Sequence, residues 1–79
     1  MSQPLTLYHR KGCHLCEQML AELRSLYGEH VSVTLIDVDS DPGLRARYGQ
    51  RVPVLVGGSR VLGSGRLDRI RLEEYLSGN

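Results

Sequence analysis

No run of apolar residues in this 79-residue chain approaches the length of about twenty that a membrane-spanning helix needs. The N-terminal M-S-Q-P-L-T-L-Y lacks the basic start and apolar stretch of a secretory signal. Excess charge of one sign is missing too: the formal net charge is +1. Nucleic-acid and acidic-membrane binding need a concentrated positive field, so neither partner is expected. Tryptophan is absent, and cysteine occurs only twice. The expected setting is intracellular, in the cytoplasm. Thiols there are kept reduced, and a cysteine pair serves catalysis or metal binding more often than as a permanent staple.

The chain length fits one domain, residues 1–79, with a thin core. Hydrophobic residues make up 41% and charged residues 24%, an ordinary globular balance. Leu5 to His9 alternates at period two after a proline and reads as a strand. From Leu15 to Tyr27 the period becomes helical. At roughly 100° per residue, Leu15, Cys16, Met19, Leu20, Leu23, Leu26 and Tyr27 fall within an arc of about 140°. Gly28 follows as a C-cap. Val31 to Val38 is rich in β-branched residues and reads as a second strand, buried toward its end. Asp41 caps a short helix that starts at Pro42 and closes at Gly49. Val54 to Val56 and Arg60 to Leu62 form a hairpin about Gly57-Gly58-Ser59. Gly63-Ser64-Gly65 breaks the chain, and Leu67 to Leu76 is a closing helix. The order β-α-β-α-β-β-α predicts an α/β domain with a four-stranded mixed sheet flanked by helices. Its first two strands are parallel through a right-handed crossover.

The two cysteines, Cys13 and Cys16, stand at the junction of loop and helix. Free N–H groups and the positive end of the helix dipole favour a thiolate at Cys13. Arg10 and Lys11 add positive charge, and Glu17 partly opposes them. Cys16 lies within the apolar arc. The pair therefore divides into an exposed nucleophile, Cys13, and a buried resolving thiol, Cys16. A zinc site wants four ligands, and only one C-x-x-C pair is present. His14 projects away, and His9 and His30 do not complete a set. A metal or iron-sulfur cluster shared between two chains is the alternative reading, which would make the protein a binding module. A staple closing so short a loop removes little chain entropy.

Pro53 sits in an apolar run. Alone it reads as a strand start with a trans bond. Beside a dithiol it reads as a cis proline that frees the Val52 backbone for an incoming peptide. His14 either tunes the thiolate or is an exposed polar residue. Tyr8 reads as a half-packed strand residue or a groove-lining aromatic. Asp37 and Asp39 read as turn and cap residues. Arg45, Arg47, Arg69 and Arg71 read as solvated helix faces. Arg10, Lys11 and Arg51 gather near Cys13 and could bind carboxylates.

The segments T-L-Y-H-R-K-G-C-H-L-C-E-Q-M, Y-G-Q-R-V-P-V-L-V and L-G-S-G-R-L resemble the glutaredoxin-like family of the thioredoxin-fold superfamily, in particular small members with a C-x-L-C dithiol. The resemblance spans nearly the whole chain. It implies a thioredoxin fold, dithiol-disulfide exchange with Cys13 as nucleophile and Cys16 as resolver, and Val52-Pro53 as the cis-proline element. Arg10 falls where glutaredoxins place a basic residue near the glutathione carboxylate. The chain has His14-Leu15 where they have Pro-Tyr, and Arg51 in place of threonine before Val52-Pro53. Their G-G-x-x-D motif is replaced by Gly63-Ser64-Gly65-Arg66, with Ser64 as the remaining cap. The expected substrates are protein or glutathionyl disulfides. No bound cofactor is expected, with glutathione a candidate co-substrate. Glutathione or a flavoprotein reductase is the candidate electron source, and the protein is expected to be a monomer.

Overall fold

The computed structural model describes residues 3–78. Strands β1 (Gln3–His9) and β2 (Val31–Asp37) are joined through helix α1 (His14–Tyr27). Helix α2 (Pro42–Tyr48) leads to the hairpin β3 (Val54–Gly57) and β4 (Arg60–Ser64). A two-residue strand β5 (Arg66–Leu67) precedes helix α3 (Arg69–Leu76). The sheet runs β2-β1-β3-β4-β5. Strand β1 is parallel to β2, with Leu7 opposite Leu35. It is antiparallel to β3, with Leu7 opposite Leu55. The expected mixed sheet of four strands and three helices is present, and β5 extends its edge.

Side chains alternate across a strand, and β1 uses both faces. Leu5 and Leu7 enter one core with Met19 and Leu23 of α1, Leu55, Leu62 and Leu72 of α3. Tyr8 points the other way and stacks on Tyr48 of α2, ring centroids 4.4 Å apart. Helices α1 and α3 therefore cover one face of the sheet and α2 the other. This corrects the groove-lining alternative for Tyr8: its ring is engaged with α2.

Local chemistry sets the element ends. The Asp41 carboxylate accepts the Leu44 N–H at 3.0 Å, and Pro42 follows it as the sequence anticipates. The Gly28 N–H donates to the Arg24 carbonyl at a positive φ of 53°, where glycine avoids the steric cost of a Cβ. In the β3–β4 hairpin Gly58 takes φ 60°.

Several expectations need correction. Strand β2 lies at the sheet edge, so Leu35 is 44% exposed and the strand is not buried toward its end. Val38 leaves the strand for a short 3₁₀ turn, Val38–Ser40, and is buried there. Leu15 and Leu26 remain exposed, because the buried seam of α1 is narrower than its apolar arc: only Cys16, Met19 and Leu23 are fully buried. Gly63 and Ser64 continue β4, and only Gly65, at φ 79°, turns the chain. Leu67 belongs to β5, so α3 starts later than expected, capped by Asp68 accepting the Arg71 N–H at 3.1 Å. Among the described residues no helix is long and apolar enough to cross a membrane.

Candidate redox site

Strand β1 delivers the chain to a tight turn, Arg10-Lys11-Gly12-Cys13. The Cys13 N–H donates to the Arg10 carbonyl at 3.1 Å, and Gly12 takes φ 78°. A positive φ at the third residue of a turn is the usual place for glycine. Cys13 then serves as the N-cap of α1, its sulfur accepting the Cys16 N–H at 3.1 Å. That N–H is one of the donors a helix start leaves unpaired. The same donor that bonds the sulfur here would stabilise a thiolate in the reduced protein.

Cys13 and Cys16 are joined in a disulfide, Cα atoms 5.2 Å apart. Their environments differ. Cys16 is 4% exposed. Cys13 is half-buried, less open than the sequence suggested, because the cap geometry turns its sulfur toward the helix. A crevice of about 250 Å³ reaches both residues. Leu7, Leu20 and Leu35 form its apolar lining, and His9, Arg10, Lys11 and Glu17 bring polar groups.

The other predicted residues divide around this crevice. His14, the first residue of α1, is exposed and outside the crevice lining. The Val52–Pro53 peptide bond is cis, and Pro53 is buried. The Pro53 carbonyl accepts the Gly65 N–H at 2.8 Å, and the Ser64 hydroxyl reaches the Arg51 carbonyl at 3.4 Å. Arg51, Val52, Pro53 and Ser64 thus form one linked group. None of the four is in the crevice lining, and Ser64 lines, with Leu15, a second groove beside the start of α1. The expected cluster of Arg10, Lys11 and Arg51 is therefore divided: Arg51 does not line the crevice that holds the other two.

Arg10 needs the largest revision as a carboxylate-binding residue. Its Nε and Nη2 donate to the two Asp39 oxygens, each at 3.0 Å. Its Nη1 donates to the Gly49 carbonyl at 3.0 Å. The guanidinium is thus occupied within the fold. Asp39, read from sequence as a turn residue, is the centre of this network, and Arg45 Nε lies 3.3 Å from its Oδ1. Arg45 is accordingly more than a solvated helix residue. Asp37 does act as a cap, accepting the Asp39 N–H at 2.8 Å.

The hydrogen bond from Arg10, opposed by some desolvation, lowers the Asp39 pKa below its ordinary 3.8 and raises that of Arg10. A carboxylate with a depressed folded-state pKa binds fewer protons folded than unfolded. Its contribution is present above the unfolded value and is lost as pH falls through the lower folded one. An acid-unfolding titration is expected to show this component disappearing below pH 3.8, and Asp39→Asn is expected to remove it. Exposed pairs contribute little, so the pH dependence is the informative observable.

Comparison with known proteins places this geometry. The Glutaredoxin-like domain (DUF836) family matches residues 4–77. The chain belongs to the glutaredoxin-like family. An uncharacterized protein of Mycobacterium tuberculosis is 37% identical, over 91% of this chain and 81% of that protein. A solution structure of a protein from Nitrosomonas europaea superposes with a TM-score of 0.83 at 35% identity, covering 95% of this chain and 92% of the other. An X-ray structure from X. campestris gives 0.72 at 34% identity, covering 95% and 97%. Thioredoxin 1 from Thermosipho africanus gives 0.59 at 17% identity, covering 94% of each chain, a likeness of fold. This glutaredoxin-like chain thus has a thioredoxin fold, with its close cysteine pair at the start of α1.

Asp68 escaped the sequence reading. Its signal was available: an aspartate directly before a helical segment is a standard N-cap. The expected helix begins at Leu67, two residues before its observed start at Arg69, which puts Asp68 inside the helix and hides its capping role.

Proposed function

We propose that the protein is a thiol-disulfide oxidoreductase of the dithiol type. The observation that carries this reading is the asymmetry of the pair. Cys13 is half-buried, lines the crevice and receives the Cys16 N–H at its sulfur, whereas Cys16 is 4% exposed.

In the reduced protein the Cys13 thiolate attacks one sulfur of a substrate disulfide. A new S–S bond forms to Cys13 and the other substrate sulfur leaves as a thiolate. Cys16 loses its proton to solvent and attacks the Cys13 sulfur. The mixed disulfide breaks, the second substrate thiolate leaves, and the Cys13–Cys16 disulfide forms. The substrate gains two electrons and the dithiol loses two. A thiol donor then returns the protein to its reduced form by the reverse exchange.

The substrate class we propose is a protein or glutathionyl disulfide. Val52-Pro53, with Arg51 and Ser64, supplies the second side of the docking region. Lys11 is an exposed basic residue of the crevice lining, and His14 is exposed at the start of α1. With Arg10 engaged by Asp39, glutathione would depend on these other residues. Protein disulfides are therefore the preferred substrates, and a cytoplasmic setting and a monomeric state fit this role.

The test is reduction of a small disulfide such as 2-hydroxyethyl disulfide. It is run with either glutathione and its reductase or a flavoprotein thioredoxin reductase as electron source. Turnover in either system supports the reading, and the better donor names the recycling route. No turnover with both overturns it.

A further inference from the structure

We propose that Asp39 is a positioning residue for the Cys13 sulfur, acting through Arg10 from a different part of the fold. The inference rests on the reading of Cys13 as the nucleophile.

Arg10 is both the first residue of the turn that carries Cys13 and the residue whose carbonyl accepts the Cys13 N–H, at 3.1 Å. Wherever the Arg10 backbone is held, the Cys13 backbone follows. The Arg10 side chain is held three times: twice by Asp39, at 3.0 Å each, and once by the Gly49 carbonyl, at 3.0 Å. A planar guanidinium forked onto a carboxylate has one favourable orientation. Asp39 is itself fixed by its N–H bond to Asp37, at 2.8 Å. The anchors are thus the 3₁₀ turn after β2 and the end of α2, elements far from Cys13 in sequence. Gly49 completes the fit. A Cβ there would come 2.5 Å from the Arg45 carbonyl and 3.1 Å from Arg10 Nη2.

The link has an electrostatic side. Arg10 is part of the lining of the crevice that reaches both cysteines, while its guanidinium is turned onto Asp39 and the Gly49 carbonyl. Asp39 offsets that charge. The groups facing the ion pair are Arg45 from α2 and Asp37 from the end of β2, and those sharing the crevice with the sulfurs are His9, Lys11 and Glu17. Neutralising Asp39 removes the fork that holds the guanidinium and frees that charge to swing toward the crevice and the thiolate. A released unit charge seen through a protein-surface dielectric moves a nearby titration by about half a unit.

The experiment titrates the Cys13 thiolate by alkylation rate in the reduced Cys16→Ser protein, with Asp39→Asn, Arg10→Gln and the double substitution added. Asp39→Asn is expected to lower the midpoint, giving about threefold more thiolate at a pH well below it. In the Arg10→Gln background, Asp39→Asn is expected to give a clearly smaller fall, since only the direct effect of the Asp39 charge remains. No fall, or an equal fall in both backgrounds, overturns the proposal, since a merely structural Asp39 would not act through the Arg10 charge. Should Asp39→Asn not fold, Arg10→Lys keeps the charge without the fork. A smaller fall in midpoint then supports the proposal, and an unchanged or higher one overturns it. A wild type that reduces disulfides, with a midpoint indifferent to Asp39, would sink this coupling alone. A wild type inactive on disulfides, with the coupling intact, would sink the function alone.

Discussion

Cys13→Ser is expected to lower disulfide reductase activity by at least about a hundredfold, in a protein that still folds. A serine hydroxyl is a far weaker nucleophile than a thiolate and cannot form a mixed disulfide. The remaining thiol, Cys16, is no effective substitute. It is 4% exposed and lies on the buried seam of α1 beside Met19 and Leu23, so an incoming disulfide cannot align with its sulfur without disturbing the core. Folding should survive because Ser is also a good N-cap, able to accept the N–H that Cys13 now accepts from Cys16. Steady-state reduction of 2-hydroxyethyl disulfide, alongside circular dichroism, makes the measurement. Retention of more than about a tenth of the wild-type rate would require another nucleophile, against the chemistry proposed for this site.

Leu72→Ala is expected to destabilise the fold by about 2–5 kcal/mol, measured as a shift in the urea midpoint at unchanged slope. Leu72 is the one fully buried residue of α3 and is 0% exposed. It joins α3 to the cluster of Leu5, Leu7, Leu23 and Leu55. A domain of this size has a net stability of only several kcal/mol, so that loss is a large share of the whole. Ile70, on the same helix and 74% exposed, is the natural control. Its replacement by Ala should change stability by less than about 0.5 kcal/mol. Equal effects at the two positions would contradict the placement of α3.

Sequence reasoning reached the parts of this protein that are local. The change from period two in β1 to a helical period in α1 is encoded in consecutive residues, and so is the placement of Cys13 at the helix start. The burial of Cys16 followed from its position at the centre of the apolar arc. The exposure of Leu15 and Leu26 did not, because an arc is only a set of directions. What the helix packs against determines how much of the arc is covered, and here the contact is a narrow seam. Leu35 shows the same limit for strands. Nothing in V-S-V-T-L-I-D says that β2 has a neighbour on one side only; the strand order decides that.

The Arg10–Asp39 pair lay furthest from view. The partners are 29 residues apart in sequence and meet because the parallel register of β1 and β2 brings His9 opposite Asp37. The residues that follow each strand then converge at one end of the sheet. A basic residue before a dithiol looked free to bind substrate, and an aspartate after a strand looked like a turn former. Their pairing changes the site: the Arg10 guanidinium serves the architecture, and in the proposed function substrate recognition rests on Lys11 and on the Arg51, Val52, Pro53 and Ser64 group.

The central claim is the division of labour between the two sulfurs, and trapping tests it most directly. Cys16→Ser, reduced and then exposed to excess glutathione disulfide, is analysed intact and after digestion by mass spectrometry. The account predicts one glutathione adduct per chain, located on Cys13 and released by dithiothreitol. The matching Cys13→Ser protein should remain largely unmodified over the same interval. Rapid adduct formation on Cys16 in the Cys13→Ser protein, with Cys13 slow in the Cys16→Ser protein, would contradict it.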